Sequence, residues 1–225
     1  MFAPVSGRAS GPMVILGLTG SVAMGKSTAA ACFRRLGVPV HDADAAVHAM
    51  MSRGGEAVSE VISAFPEVAA GDAVDRKKLG AIVFREAAAL SRLENLLHPK
   101  VRARERRFLE LSARHGRPIV VLDIPLLFET GGEARCDAVI TVSAPARIQA
   151  ARFLSRPGMA ADRLAEILSK QLPDQDKRRR ADFVVQTGLG RLESLRAIGH
   201  ILSLAGRWQG RHWPPRPPIF NSAAA

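Results

Sequence analysis

Five short, mostly apolar runs punctuate the chain, at residues 14–18, 38–41, 118–123, 137–142 and 181–185. The stretches between them read as helices and loops. A continuous apolar run of this length is typical of a strand buried on both faces of a parallel sheet, with helices as the crossovers. The pattern therefore predicts an α/β fold in which a five-stranded parallel sheet is flanked by helices.

Residues 45–116 depart from this alternation, because their pattern predicts about 70 residues of helix interrupted only by loops. A connection between two parallel strands needs far fewer residues than this. Residues 66–75 form one of the expected loops. The dipeptide His98-Pro99 is expected to break the helical pattern, with Pro99 in the first turn of a long basic helix. We interpret residues 45–116 as a helical subdomain that binds a substrate.

The same pattern of apolar runs and helical stretches assigns the remaining segments of the chain. Residues 13–44, 117–144 and 172–205 are predicted to form the core of the protein, and residues 145–171, two helices rich in arginine, a mobile lid. Residues 1–12 are expected to be a disordered leader. Residues 206–225, rich in Pro and Trp, are expected to form a tail without regular structure.

The most informative motif follows the first apolar run and reads G-x-x-x-x-G-K-[ST], the pattern of a phosphate-binding loop. Glycines let successive N–H groups point at one phosphate, and the N-terminus of the following helix adds partial positive charge. Lys26 is predicted to reach the β- and γ-phosphates of a nucleotide, and Ser27 to ligate Mg²⁺. The predicted ATP-binding residues are Gly20, Ser21, Val22, Ala23, Met24, Gly25, Lys26, Ser27 and Thr28.

Carboxylates follow the second and third apolar runs. Asp42 and Asp44 end the second, and Asp123 ends the third. Because ligands of open α/β sheets lie outside the carboxyl ends of the strands, these groups should face the phosphate loop. Asp42 or Asp44 could accept a proton from an attacking hydroxyl or orient a metal, or could merely cap a helix. Asp123 would hold Mg²⁺, often through water.

Other candidates have two interpretations each. The arginines of the lid, Arg147, Arg152, Arg156 and Arg163, could neutralise a migrating phosphoryl group or form a solvated helix face. The apolar residues after Asp123 could be core or could grip an apolar substrate arm. His98 could bind substrate or cap a helix.

Composition narrows the class of partner. The net charge of +11 suits either nucleic acid or small polyanionic substrates. The chain has no tyrosine for base stacking and no zinc or helix-turn-helix pattern, so we favour small polyanions and expect no nucleic-acid partner. No apolar run is long enough to span a membrane, and the two unpatterned cysteines indicate a reducing, cytoplasmic setting.

With these motifs in order, the chain resembles the dephospho-coenzyme A kinases over roughly residues 13–204. The likeness rests on residues 16–20 with the phosphate loop, 42–44 (Asp-Ala-Asp), 96–99 (Leu-Leu-His-Pro), 123–129 (Asp-Ile-Pro-Leu-Leu-Phe-Glu), Arg152 with Arg156, Gln171, and 180–185. One position departs from the pattern, since many relatives carry Asn where this chain has Thr187 before Gly188.

The resemblance implies that ATP, with Mg²⁺, phosphorylates the ribose 3′-hydroxyl of dephospho-coenzyme A. It implies Asp44 as general base, Lys26 as phosphate ligand and Arg152 as the lid arginine that meets the phosphates. The predicted acceptor-site residues are Asp42, His98, Leu126, Leu127, Phe128 and Glu129. We expect a monomer or weak oligomer.

Three alternatives remain. Another small-molecule kinase, of the nucleotide or shikimate type, would share the loop but lack the other motifs. A GTP-dependent switch would carry an Asn/Thr-Lys-x-Asp motif, and none is present. A nucleic-acid-dependent ATPase would hydrolyse ATP faster in the presence of DNA.

Overall fold

A computed structural model describes residues 12–214, which form two compact units. The first unit contains the described residues up to Val40 and from Ser112 onward, and the second contains His41 to Leu111. The strands are β1 (Val14–Thr19), β2 (Val40–Asp42), β3 (Ala69–Ala70), β4 (Ala73–Val74), β5 (Ile119–Asp123), β6 (Ala138–Ser143) and β7 (Phe183–Gln186). The predicted leader, except for Pro12, and residues 215–225 of the predicted tail lie outside the described residues.

Helices connect and flank these strands. They are α1 (Lys26–Arg35), α2 (Ala43–Met50), α3 (Val58–Ala64), α4 (Arg76–Arg85), α5 (Ala87–Arg114), α6 (Ala146–Leu154), α7 (Ala161–Ser169), α8 (Asp174–Arg180) and α9 (Arg191–Ala205). Short 3-10 turns occupy Pro66–Val68, Gly132–Arg135 and Thr187–Leu189.

Five strands form one sheet in the order β2-β5-β1-β6-β7, which confirms the predicted fold class. The pairings of β1 with β5, β1 with β6 and β6 with β7 are parallel. Every residue of β1, β5 and β6 is buried, as expected for strands covered on both faces. Side chains of α1 and α9, including Phe33 and Ile198, belong to the same core cluster as the strands.

In the second unit, one long helix replaces the two that were predicted. The expected break at His98-Pro99 is wrong, because α5 runs through Pro99 without interruption. Proline removes one helical hydrogen bond, but Leu93, Leu97 and Val101 lie four residues apart and belong to one apolar cluster. Packing on both sides of Pro99 thus keeps a single helix axis.

Two other local expectations need correction. The predicted loop at 66–75 contains a 3-10 turn and the antiparallel pair β3–β4, so the second unit is not purely helical. The basic run 177–180, which lies in the predicted core segment 172–205 but outside its apolar run, forms the final turn of α8. Cations are favourable at that end of a helix because the unpaired carbonyls there carry partial negative charge.

The described start of the predicted tail, residues 206–214, contains no helix or strand. It is nevertheless attached to the first unit. The Trp208 ring stacks on Phe183 of β7 with centroids 6.0 Å apart, and the Arg211 N–H donates to Asp137. Side-chain contacts hold this segment, which has no regular backbone pattern of its own.

Gly17 lies in the middle of β1, where a Cβ atom would be 2.7 Å from Leu127 Cδ2 and 2.9 Å from Cys136 Sγ. We expect Gly17→Ala to lower the free energy of unfolding by about 1–3 kcal/mol, because two core side chains must shift. Urea unfolding measures the change. Gly80→Ala is the matched control: Gly80 lies on α4 with open space around its Cβ position, and alanine there should add about 0.5–1 kcal/mol. Wild-type stability of Gly17→Ala would contradict the close packing.

Candidate active site

The phosphate loop connects the carboxyl end of β1 to α1, as the motif predicts. Gly25 precedes the helix at φ +92°, and a Cβ atom there would lie 2.9 Å from the hydroxyl of Thr187. Ala23 also has a positive φ, of +60°, which is disfavoured for a residue with a Cβ. Lys26 and Ser27 form the first turn of α1, where N–H groups have no helical partner. The loop therefore has the curvature and the helix N-terminus that bind phosphate.

Lys26 and Asp123 form an ion pair at this edge of the sheet. Lys26 Nζ lies 2.7 Å from Asp123 Oδ1, with side-chain exposures of 16% and 2%. The β1–β5 register pairs Leu18 with Asp123, which brings the last residue of β5 beside the start of the loop. The sequence predicts that both residues bind the phosphates or their metal ion, and in the structure the two side chains are in contact. A buried carboxylate needs such a partner because desolvation strongly disfavours an unpaired charge.

Arg152, on α6, is attached to the phosphate loop through Thr187. Its guanidinium donates to the Thr187 hydroxyl at 2.9 Å and to the Thr187 carbonyl at 2.8 Å. The same hydroxyl donates to the Met24 carbonyl at 2.6 Å. Thr187 therefore links the arginine to the loop backbone.

Two glutamines also contact the loop. The side chains of Gln149 and Gln171 hydrogen-bond the main chain of Val22. Gln171 is part of the sequence resemblance, whereas no pattern in the sequence points to Gln149. The burial of this polar side chain on α6 emerges only from the fold.

The segment after β5 divides between the interior and the surface. Leu127 and Phe128 are buried, and the Arg180 guanidinium lies 4.6 Å from the centroid of the Phe128 ring. Leu126 is exposed. Burial favours the core interpretation for Leu127 and Phe128, and substrate contact by any of the three stays a prediction.

Glu129 ends this segment and holds a fully buried lysine. Glu129 Oε1 lies 2.8 Å from Lys177 Nζ and accepts the Leu172 N–H at 2.8 Å. Lys177 Nζ also donates to the Pro125 carbonyl at 3.2 Å. These bonds attach the segment after α7 to the loop after β5, so one oxygen of Glu129 already has a structural function. Substrate contact by Glu129 stays a prediction.

Burial by itself raises the pKa of the Glu129 carboxyl, while hydrogen bonds from Lys177 and the Leu172 N–H lower it. Together these effects leave the pKa below its ordinary value. The folded protein therefore favours the ionised form of Glu129 more than the unfolded chain does.

The remaining candidates lie in the second unit. Asp42 accepts the N–H of Ala45 at 2.9 Å and caps α2, which is one of the two interpretations that the sequence left open. Asp44 lies exposed in the first turn of α2. His98 lies exposed within α5, not at a helix start, which excludes a capping function. Substrate or proton contacts of the three residues stay predictions.

Within residues 12–214, no three His, Cys, Asp or Glu side chains group closely enough to form a metal site. No helix in this described part is long and apolar enough to cross a membrane.

A phosphate loop at the carboxyl end of a central parallel strand, with a lysine paired to the aspartate of the neighbouring strand, defines a P-loop nucleotide-binding protein. The comparisons with known proteins narrow the class. The family model described as dephospho-CoA kinase matches residues 14–190. The chain belongs to the dephospho-CoA kinase family.

Individual relatives agree with the family match. The chain is 64% identical over 166 residues to the dephospho-CoA kinase of Paramagnetospirillum magneticum, covering 74% of this chain and 78% of that protein. It is 54% identical to the dephospho-CoA kinase of Rhodospirillum rubrum, covering 89% and 95%. The crystal structure of TT1252 from Thermus thermophilus superposes with a TM-score of 0.75 at 35% identity, covering 86% of this chain and 98% of that one.

The Lys177–Glu129 pair generates a pH-dependent prediction. Because the pKa of Glu129 is lowered by folding from its ordinary value of 4.5, its contribution to stability is present above that value and is lost as the pH falls through the folded pKa. Glu129→Gln should lower the free energy of unfolding by about 3 kcal/mol at pH 7, since it leaves a buried lysine without a counter-charge. The difference from wild type should shrink below pH 4.

Urea unfolding at both pH values measures this difference. Glu193→Gln, which removes one charge of the exposed pair with Arg196 on α9, is the control and should change stability by no more than about 0.5 kcal/mol at either pH. A loss for Glu129→Gln that stays constant from pH 7 to pH 3.5 would rule out the assigned linkage.

Proposed function

We propose that this protein transfers the γ-phosphoryl group of ATP to the 3′-hydroxyl of the ribose of dephospho-coenzyme A, giving coenzyme A and ADP. The family match and the names of the relatives support the acceptor. The observation that carries the chemistry is the Lys26–Asp123 pair beside the phosphate loop. In this pair, the Lys26 ammonium, which can bind a phosphate, lies beside the Asp123 carboxylate, which can bind a metal ion, at one edge of the sheet.

In this proposal the loop N–H groups and the start of α1 bind the phosphates, and Lys26 exchanges its bond to Asp123 for one to a phosphate oxygen. The residues fit Mg²⁺, because Ser27 and Asp123 supply hard oxygen ligands, and Mg²⁺ is usually held by one or two protein groups together with substrate phosphates. The ion would neutralise charge on the phosphates.

The acceptor side of the site rests on the family resemblance. Asp44 is proposed to take the proton of the ribose hydroxyl, and the exposure of this carboxylate in the first turn of α2 leaves it accessible to a substrate. Asp42, His98 and the 126–129 segment are proposed to bind the acceptor, and residues 45–116 to form the acceptor-binding subdomain. Residues 145–171, with Arg152, are proposed to act as a lid that excludes water.

The setting of the reaction is also a proposal. A cytoplasmic location is supported by the two cysteines, neither of which forms a disulfide in the described structure. A monomer or weak oligomer without nucleic acid is the state that we propose for the active protein.

A coupled assay of ADP release tests the reaction, with dephospho-coenzyme A compared to adenosine and shikimate at equal concentrations. We expect turnover to require dephospho-coenzyme A and Mg²⁺. Preferred turnover of shikimate or adenosine would favour the alternative, another small-molecule kinase. DNA-stimulated hydrolysis would favour an ATPase.

Lys26→Ala should lower kcat by about a thousandfold, because it removes a preorganised cation from the charge that develops on the transferring phosphoryl group. Arg196→Ala, on the exposed face of α9, is the control and should retain activity. Urea unfolding verifies that the variant is folded, since the change removes the ion pair between Lys26 and Asp123. Wild-type turnover of folded Lys26→Ala would refute the role of this lysine.

Asp44→Asn should slow phosphoryl transfer by about 10²–10⁴-fold and leave the affinity for ATP unchanged, because the amide cannot accept the proton. Isothermal titration with an ATP analogue and single-turnover kinetics separate the two quantities. Asp72→Asn, in an exposed pair with Arg53, serves as the charge-matched control. Unchanged transfer by Asp44→Asn would exclude this residue as the base.

A further inference from the structure

The main chain of Val22, the third residue of the phosphate loop, is held on both sides by side-chain amides. Its N–H donates to Gln171 Oε1 at 3.1 Å, and its carbonyl accepts from Gln149 Nε2 at 2.9 Å. Gln149 lies on α6 and is 6% exposed, and Gln171 lies just after α7. One glutamine acts as acceptor and the other as donor, so together they fix the orientation of both peptide groups of Val22.

These bonds precede the most constrained point of the loop. Ala23, the next residue, has a φ of +60°, a conformation that persists for a non-glycine residue only where the surrounding structure holds it. Val22 belongs to no strand or helix, so its polar main-chain groups must find partners elsewhere. The two glutamines supply them at the residue where the loop begins to curl.

The same glutamines join the loop to the segment that carries Arg152. Gln149 and Arg152 lie three residues apart on α6, and Arg152 reaches the Met24 carbonyl through Thr187. The 145–188 segment therefore binds the loop at two residues: two glutamine side chains hydrogen-bond Val22, and the Thr187 hydroxyl hydrogen-bonds Met24. A change in the loop would be transmitted to the helix that presents the arginine.

We propose that Gln149 and Gln171 are positioning residues for phosphoryl transfer: they preset the phosphate loop for its nucleotide and align it with Arg152. The proposal rests on the proposed function for its nucleotide chemistry. Neither glutamine is assigned a contact with the phosphates.

Methionine replaces the amide with an apolar group of similar length. We expect Gln149→Met and Gln171→Met each to weaken ADP binding about tenfold, the size expected when a buried main-chain group loses its partner. Both glutamines hold one residue, so the double variant should lose clearly less than the hundredfold product. Isothermal titration measures the affinities, and kcat should fall while KM for the acceptor stays unchanged.

Glutamate provides a sharper comparison, because the two glutamines have opposite functions. Gln171→Glu keeps an oxygen acceptor for the Val22 N–H and should bind ADP within about threefold of wild type in 0.5 M salt, which screens the added charge. Gln149→Glu removes the donor and places an oxygen against the Val22 carbonyl, so it should bind at least as weakly as Gln149→Met. The Val22 amide should exchange hydrogen faster in Gln171→Met than in Gln171→Glu.

Gln175→Met changes an exposed glutamine on α8 and should bind ADP as wild type does. A purely structural role would reduce the fraction of active protein and leave the Kd of the remainder unchanged. If a variant of Gln149 does not fold, the difference in ADP affinity between Gln171→Met and Gln171→Glu still tests the proposal. Wild-type affinity in Gln171→Met, or equal losses in Gln171→Met and Gln171→Glu, would overturn the proposal.

The test is independent of the acceptor, because ADP binding requires only the phosphate loop. A wild-type protein that binds ADP but does not phosphorylate dephospho-coenzyme A would refute the proposed function and leave the comparison of glutamine variants valid.

Discussion

The parallel pairing of β1 with β5 is the constraint on which the nucleotide site depends. It places Leu18 beside Asp123, so the start of the phosphate loop and a buried carboxylate lie at the same edge of the sheet. Parallel strands present their carboxyl ends together, and a loop leaving one strand meets a side chain leaving its neighbour. The 2.7 Å contact between Lys26 and Asp123 follows from this arrangement.

The phosphate loop is also held by residues that lie outside the sheet. Its polar main-chain groups are satisfied at Val22 and Met24 by Gln149, Gln171 and Thr187, all from the C-terminal half of the chain. A loop that must bind a highly charged ligand benefits from such preorganisation, because fewer conformations are lost when the ligand binds. The buried Lys177–Glu129 pair supports the neighbouring loop in a similar way.

Much of the fold could be predicted because strands and helices have local periodic signatures. The apolar runs identified the strands of the sheet, and the loop motif marked the helix that begins at Lys26. The prediction failed at Pro99, where local chemistry disfavours a helix but packing of Leu97 and Val101 on one cluster maintains it. It also missed α8, whose basic last turn resembles a solvated connector.

For the site, the sequence by itself determined which residues have the chemistry for phosphate, metal and proton transfer, because that information lies in residue type and short spacing. Only the tertiary structure decided which of them touch. It paired Lys26 with Asp123, committed an oxygen of Glu129 to Lys177, and brought Gln149 to a loop 127 residues away. A hydrogen bond over that separation leaves no trace in local periodicity, since it depends on where the sheet places two distant backbones.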